Sequence, residues 1–517
     1  MKELIYHRML LPAVERNADR LGFVDGDYRA TFGEHLERVA ALCGGLQSLG
    51  VGADDRFAVM ALNSHEFIEC YHAAYLGAGV INPLNLRLAP KELEYILTDS
   101  GTRVCFADQF FAPAVDKVRA AVGIDTVVMI GAGDAPHDVR YEDVIGGATA
   151  RIPDEPDEDD PVVLMYTGGT TGLPKGVLLD QRAEMLNLYH VLGMWRFDHE
   201  DVFLHQTPMF HAASMGGMLG VPARGGTSVF LPLFDPGRVL DLCEQYAVTQ
   251  TVMVPTMIGM LLNHPEFRPE RLRSLRALTY GASPMPFALL ERLLALFPDL
   301  NVFQGYGMTE CSAVLTALGP DEHRAGGTLL RSAGLPLPGV VLSIQDPYGA
   351  VLPVGETGEV CARAGNFMRG YWKQPEATAE AFRGGWYHSG DAGYLDAEGH
   401  LFLVDRVKDM IVTGGENVYS VEVENAIASH PAVEQVAVIG IPSDTWGEAV
   451  HAIVVIRSGS TVTEADLIGH ARELIAGYKL PKSVEFRSEP LPLSGAMKVL
   501  KRELRDPHWA GRDRAVN

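Results

Sequence analysis

The chain has 517 residues, 47% of them apolar and 21% charged, which suits a folded protein too long for a single core. A net charge of −23 argues against a nucleic-acid partner, since phosphate contacts need a basic surface. The 6 cysteines are far apart and form no CxxC pair, which argues against a sequence-local zinc site and for reduced, mostly buried thiols.

The N-terminal "MKELIYHRMLLPAVERNADR" carries Glu3, Arg8 and Glu15 among its apolar positions and predicts an amphipathic helix rather than a signal peptide. The most apolar stretch, "CYHAAYLGAGVINPL", contains His72, Asn82 and Pro83 and is no membrane span. The expectation is a cytoplasmic protein without a transmembrane segment. "ERVAALCGGLQSLGV" has helical spacing, "RFAVMAL" reads as a buried strand, and "FIECYHAAYLGAGV" is helical again. "TRVCFA" and "DTVVMI" follow as strands. This alternation predicts an α/β architecture with largely parallel sheet. "PDEPDEDDP" (153–161) reads as a solvated linker.

Further α/β units run through "TSVFLP", "VTQTVMVP" and "LRALTYGAS". From about Gly334 the texture becomes short strands and Gly/Pro turns, predicting a small barrel. The last hundred residues read as strand, helix, strand, helix, a separate small α+β domain.

"YTGGTTGLPKG" (166–176) lies between two apolar stretches. A Walker loop needs Gly-Lys-Ser/Thr leading into a helix, whereas here Lys175 follows Pro174, and Gly176 precedes the strand-like "VLLD". The unit is strand–loop–strand. Its glycines let backbone N–H groups approach an anion, its hydroxyls add donors and its lysine adds charge.

Four more motifs follow in order: "QGYGMTE" (304–310), "YHSGDAG" (387–393), "DRVKDMIVTGGENVYSVEVE" (405–424) and "PLSGAMKVLKREL" (492–504). With the Gly-rich loop they resemble the adenylate-forming superfamily of acyl-CoA synthetases, luciferases and peptide-synthetase adenylation domains, over roughly residues 20–505. The resemblance implies two domains, 1–405 with the ATP and acid sites and a mobile 406–517 lid, with Lys408 at the hinge. It implies ATP and CoA as co-substrates, Mg2+ as cofactor and a small carboxylic acid as the activated partner. A homodimer is compatible with it.

Activating a carboxylate with ATP brings two anions together, so cations must cancel their repulsion and hold the attack in line. By resemblance the catalytic residues are Lys498, Glu310, Thr309 and His211. Glu310 and Thr167 would hold the metal, since Mg2+ takes one or two carboxylate oxygens plus phosphates and water. The implied ATP site comprises Thr167, Gly168, Gly169, Thr170, Thr171, Gly172 and Lys175 at the phosphates. It continues with Gly281, Ala282, Ser283, Gln304, Gly305, Tyr306 and Gly307 around adenine, Tyr306 stacking on the base, and Asp391 and Arg406 at the ribose. The family has glycine before its lysine; this chain has Met497.

"TPMFHAASM" (207–215) should line the acid pocket. His211 stands where amino-acid-activating relatives place an aspartate, so an amino-acid substrate is disfavoured. Gly307 stands where acetate-activating relatives place tryptophan, which implies an open pocket. Its wall would use His211, Met215, Met257, Gly307 and Met308, with Pro255, Thr256, Ala282 and Gly305 as further lining residues. The expected substrate is an apolar acid, a medium- or long-chain fatty acid, with aryl or alicyclic acids left open. Gly414, Gly415, Trp446, Tyr478 and Lys482 match CoA-contacting positions, while Leu480 replaces an arginine found in some relatives. Free CoA is the expected acceptor, a carrier protein the alternative; luciferase-like oxygenation and a catalytically idle fold are further rivals.

Overall fold

The structure is a computed structural model describing residues 3–167, 173–406, 409–413, 416–443, 445–495 and 497–510, with backbone alone for 405, 406 and 417. The expectations placed on Gly168, Gly169, Thr170, Thr171, Gly172, Lys408, Gly414 and Gly415 lie outside the described residues.

The large domain is α/β. One sheet of 9 strands has a parallel centre, from Leu21–Asp25 through Thr227–Phe230, Val202–His205, Gln250–Met253 and Ala277–Gly281 to Asn301–Tyr306, with antiparallel strands at both margins. A second sheet, of 8 strands, is parallel from Pro161–Thr167 through Val80–Pro83, Arg56–Met60 and Val104–Asp108 to Thr126–Ile130. Strands such as Arg56–Met60 and Thr126–Ile130 are buried at four consecutive positions, as parallel strands covered on both faces must be. The N-terminal helix His7–Asn17 buries His7, Leu10, Ala13 and Val14, so its amphipathic reading holds. All 6 cysteines are free and buried.

The Gly/Pro-rich segment expected as a small barrel is an antiparallel four-stranded meander: Val341–Gln345, Gly358–Arg363, Tyr387–Leu395 and Leu401–Arg406. A bridge between Gly334 and Leu401 ties it to the large domain. The small C-terminal domain is α+β. The helices Ser420–Ala428 and Glu464–Arg472 accompany a sheet built on the long pair Val433–Ser443 and Gly447–Ile456. The acidic linker is tied down rather than merely solvated: Glu158 accepts the backbone N–H groups of Glu3 and Leu4 and pairs with Arg182.

Candidate active site

Parallel strands end together, and their carboxyl ends are where α/β folds build sites. Here Ala277–Gly281 and Asn301–Tyr306 end side by side, with Gly281 paired to Gly305. A Cβ on Gly281 would stand 2.3 Å from the Gly305 carbonyl oxygen, so the close approach itself demands glycine. The motifs "YGAS" and "QGYG", 20 residues apart in sequence, therefore form one edge. Ala282 continues it at φ +66°, a left-handed conformation.

Tyr306 and Asp391 meet although 85 residues separate them: the tyrosine hydroxyl donates to the carboxylate at 2.8 Å. Both side chains are buried, and the Tyr306 ring packs with Ala333, Ile344, Val360 and Leu401. Burial and the Asp391 charge push the phenol well above its ordinary range, so it stays a donor. Arg406 is the backbone partner of Asp391 across the adjoining strand. Gln304 accepts from the Tyr280 hydroxyl at 3.1 Å.

Pro161–Thr167 and Lys175–Asp180, which flank the Gly-rich segment in sequence, pair as an antiparallel hairpin in which Thr167 faces Lys175. That is the strand–loop–strand unit read from sequence. A third strand, Gly370–Tyr371, joins this hairpin and carries a residue the sequence reading missed. The Lys175 ammonium lies 4.6 Å from the Tyr371 ring centre, and the Tyr371 hydroxyl donates to Glu310 at 3.0 Å. Glu310 itself sits in the one-turn helix Thr309–Cys311, held by the Met368 N–H on its carbonyl at 2.8 Å. A cation, a phenol and a carboxylate thus line up at the end of the hairpin. Tyr371 lies 61 residues beyond Glu310 and inside none of the five motifs, so no spacing rule could have found it.

His211 begins the turn Ala212–Ser214, where its Nδ1 accepts the Ala213 N–H at 3.2 Å. Burial, helped by the Lys498 charge, lowers its pKa to about 3, so the imidazole is neutral with its proton on Nε2. The segment leading to it is fixed by Asn63, also missed from sequence. This buried amide donates to the Thr207 carbonyl at 3.0 Å and accepts the Met209 N–H at 2.8 Å. Met215 and Met257 are fully buried in different apolar clusters, the first with Phe210 and Ala212, the second with Leu290 and Val254. Met308 is half-buried against the cluster of Cys311, Leu315, Val340 and Ala362.

Two of the expected pocket positions meet backbone groups. A Cβ on Gly307 would lie 2.1 Å from the Ala313 carbonyl oxygen and 2.9 Å from the Val314 Cα. Thr256, expected in the pocket wall, donates its hydroxyl to the Met497 carbonyl at 2.8 Å.

That contact brings the small domain to the site. Lys498 lies on a tight hairpin in which Ser494 and Lys498 exchange backbone and side-chain hydrogen bonds and Leu493 bridges Val499. Met497, in the place of the family's glycine, has φ +62°. Among the described residues, seven other than glycine have positive φ. Arg196, Ala247 and Ser312 cap helix C-termini, where this conformation is routine. The other four, Ala282, Ala313, Lys373 and Met497, fall in or beside the segments just described. Such concentration of backbone strain is characteristic of functional sites.

On the small domain, Trp446 is exposed and the Lys482 ammonium lies 5.5 Å from its ring centre. Tyr478, also exposed, is covered by Lys479 instead. Leu480 is buried in the domain core.

A docked lysine hairpin, a Gly-rich hairpin beside a carboxylate and a strand-end edge joined to an Asp-bearing meander define an adenylate-forming enzyme. The chain belongs to the AMP-binding enzyme family: residues 11–372 match the model "AMP-binding enzyme", and 422–498 match "AMP-binding enzyme C-terminal domain". It is an AMP-forming acid–thiol ligase. It is 39% identical to a feruloyl-CoA synthase from Amycolatopsis sp, covering 93% of this chain and 94% of that protein. It is 37% identical to the fatty acid–[acyl-carrier-protein] ligase ScoC of Streptomyces coeruleorubidus, covering 91% and 90%. Among solved structures it is similar to ATP-bound MatB from Rhodopseudomonas palustris, with a TM-score of 0.88 at 30% identity over 98% of this chain and 99% of that one. No helix among the described residues is long and apolar enough to cross a membrane.

Proposed function

We propose that this protein is an acid–CoA ligase: it activates an apolar carboxylic acid with ATP and passes the acyl group to CoA. The observation that carries this reading is the docked hairpin: the Met497 carbonyl, one residue before Lys498, accepts a hydrogen bond from Thr256 of the large domain. In the first step a carboxylate oxygen attacks the α-phosphorus, pyrophosphate leaves and an acyl-adenylate forms. Lys498 offsets the repulsion between the two anions. Tyr306 and Asp391 position the nucleoside, and Lys175 faces the phosphates. In the second step the CoA sulfur attacks the acyl carbon, AMP leaves with the bonding pair, and a thioester remains.

Glu310 and Thr167 offer hard oxygen donors, the set Mg2+ takes, and Tyr371 orients the carboxylate. Bound there, Mg2+ would neutralise charge on the phosphates. Trp446 and Lys482 form a stacking surface with an adjacent cation for the CoA nucleotide. The domain boundary at 405–406 and Lys408 as hinge belong to the same reading, since one lid face cannot serve both steps.

For the acid, a neutral His211 among Phe210, Ala212 and Met215 offers no anion to an ammonium, which supports an uncharged tail. A medium- or long-chain fatty acid fits that wall. An aryl acid is the second reading, favoured by the similarity to a feruloyl-CoA synthase. A panel of fatty, cinnamic and benzoic acids, with AMP and thioester both measured, decides between them. Acid-dependent pyrophosphate release without CoA-dependent AMP release would count against CoA and for a carrier protein as acceptor.

A further inference from the structure

The hairpin that carries Lys498 is held to the large domain by contacts outside the five motifs. Thr256 Oγ1 donates to the Met497 carbonyl at 2.8 Å, one residue before the lysine. The Arg87 guanidinium donates to the Leu493 carbonyl at the other end of the hairpin. Between them Gly495 lies so close that a Cβ would stand 2.3 Å from Asn85 Oδ1 and 3.1 Å from Phe210 Cζ. The Met497 side chain rests on the apolar cluster that includes Met257. Both hydrogen bonds are accepted by backbone carbonyls, so they grip the hairpin whatever the side chains between them do.

We propose that Arg87 and Thr256 form a two-point latch that holds the hairpin docked and thereby positions Lys498 for adenylate formation. They are positioning residues, acting through Lys498 rather than on the substrate. The inference rests on the functional reading above and adds two residues to it. Because Thr256 grips the residue in the left-handed conformation, the latch also holds Met497 where its own backbone preference would not. Once adenylate has formed, the latch has no further part, and the hairpin must leave for CoA to be used.

The test uses the full chain with Thr256→Val, Arg87→Met and the double variant. One arm measures acid-dependent pyrophosphate release and, separately, thioester formation from a preformed acyl-adenylate and CoA. Losing one such hydrogen bond should slow the first about fivefold to tenfold, and the second should stay within about twofold. A second arm follows backbone hydrogen exchange of residues 497–500 in the protein without substrate, where the double variant should exchange several-fold faster. Equal slowing of both half reactions, or unchanged exchange in the double variant, would overturn the latch. A wild-type protein that forms no adenylate with any acid would sink the functional reading instead, and the exchange arm would still decide the latch.

Discussion

The Tyr371 hydroxyl donates to a Glu310 carboxylate oxygen at 3.0 Å while the same ring lies under the Lys175 ammonium. One phenol therefore orients the candidate metal ligand and packs against the cation of the Gly-rich hairpin. Tyr371→Phe keeps the ring and loses only the donor. A hydrogen bond to a charged group contributes about 1.5–3 kcal/mol. The variant should need at least about tenfold more Mg2+ for half-maximal pyrophosphate release, with the fold and the Lys175 contact kept. An unchanged Mg2+ titration would show that Glu310 does not depend on this bond.

Lys498→Ala should abolish adenylate formation while thioester formation from preformed acyl-adenylate persists, because the cation is needed only when two anions meet. Parallel loss of both half reactions would remove Lys498 from the proposed role.

Met497 can be probed through its φ of +62°. Glycine adopts that conformation freely, whereas a β-branched residue is a genuine outlier there. Met497→Gly should adenylate within about threefold of wild type, and Met497→Val at least tenfold more slowly, since αL costs about 1–2 kcal/mol per residue even before branching is counted. Equal rates for the two variants would mean that the hairpin does not need this backbone.

At Gly307 a Cβ would collide with the Ala313 carbonyl, whereas at Gly305 it would meet only Val314 methyls at 3.8 Å. Gly307→Ala should therefore lower kcat/KM for every acid alike, and Gly305→Ala should be tolerated. A change of acid preference in Gly307→Ala would overturn this expectation.

Acid stability has a sign set by buried histidines. Burial lowers His35 well below its usual range, His72 to about 4 and His205 to about 3. Above about pH 6.5 these groups are neutral in both folded and unfolded chains. Below it the unfolded chain takes up protons that the folded one refuses, so stability falls as pH drops from about 6.5 toward 4. Glu184, fully buried and raised to about 8, works in the opposite direction together with Glu69, Asp108, Asp180 and His65, also raised. His190, His211, His323 and His451 are lowered and add to the histidine effect. The urea midpoint should fall measurably between pH 7 and pH 5; a flat midpoint over that range would contradict the neutral core histidines.

Local sequence determined much of this protein. Alternating apolar runs specified the α/β domain and the small α+β domain, because period and turn chemistry are local properties. Pro174 and Gly176 were enough to exclude a Walker loop, and the hairpin bears that out. The reading of Met497 as a departure from the family's glycine likewise found its physical meaning in a positive φ. What lay beyond sequence depended on approach between distant strands. Tyr371 reaches Glu310 only because a two-residue strand joins the Gly-rich hairpin. At Gly307 sequence records a missing side chain but not the Ala313 carbonyl that stands where a Cβ would be. Thr256 has apolar neighbours in sequence, which gave no sign that its hydroxyl reaches a carbonyl 241 residues away. Residue types and short spacings are written in the chain; which backbone group stands in front of which side chain is decided only when the sheets and the lid close on one another.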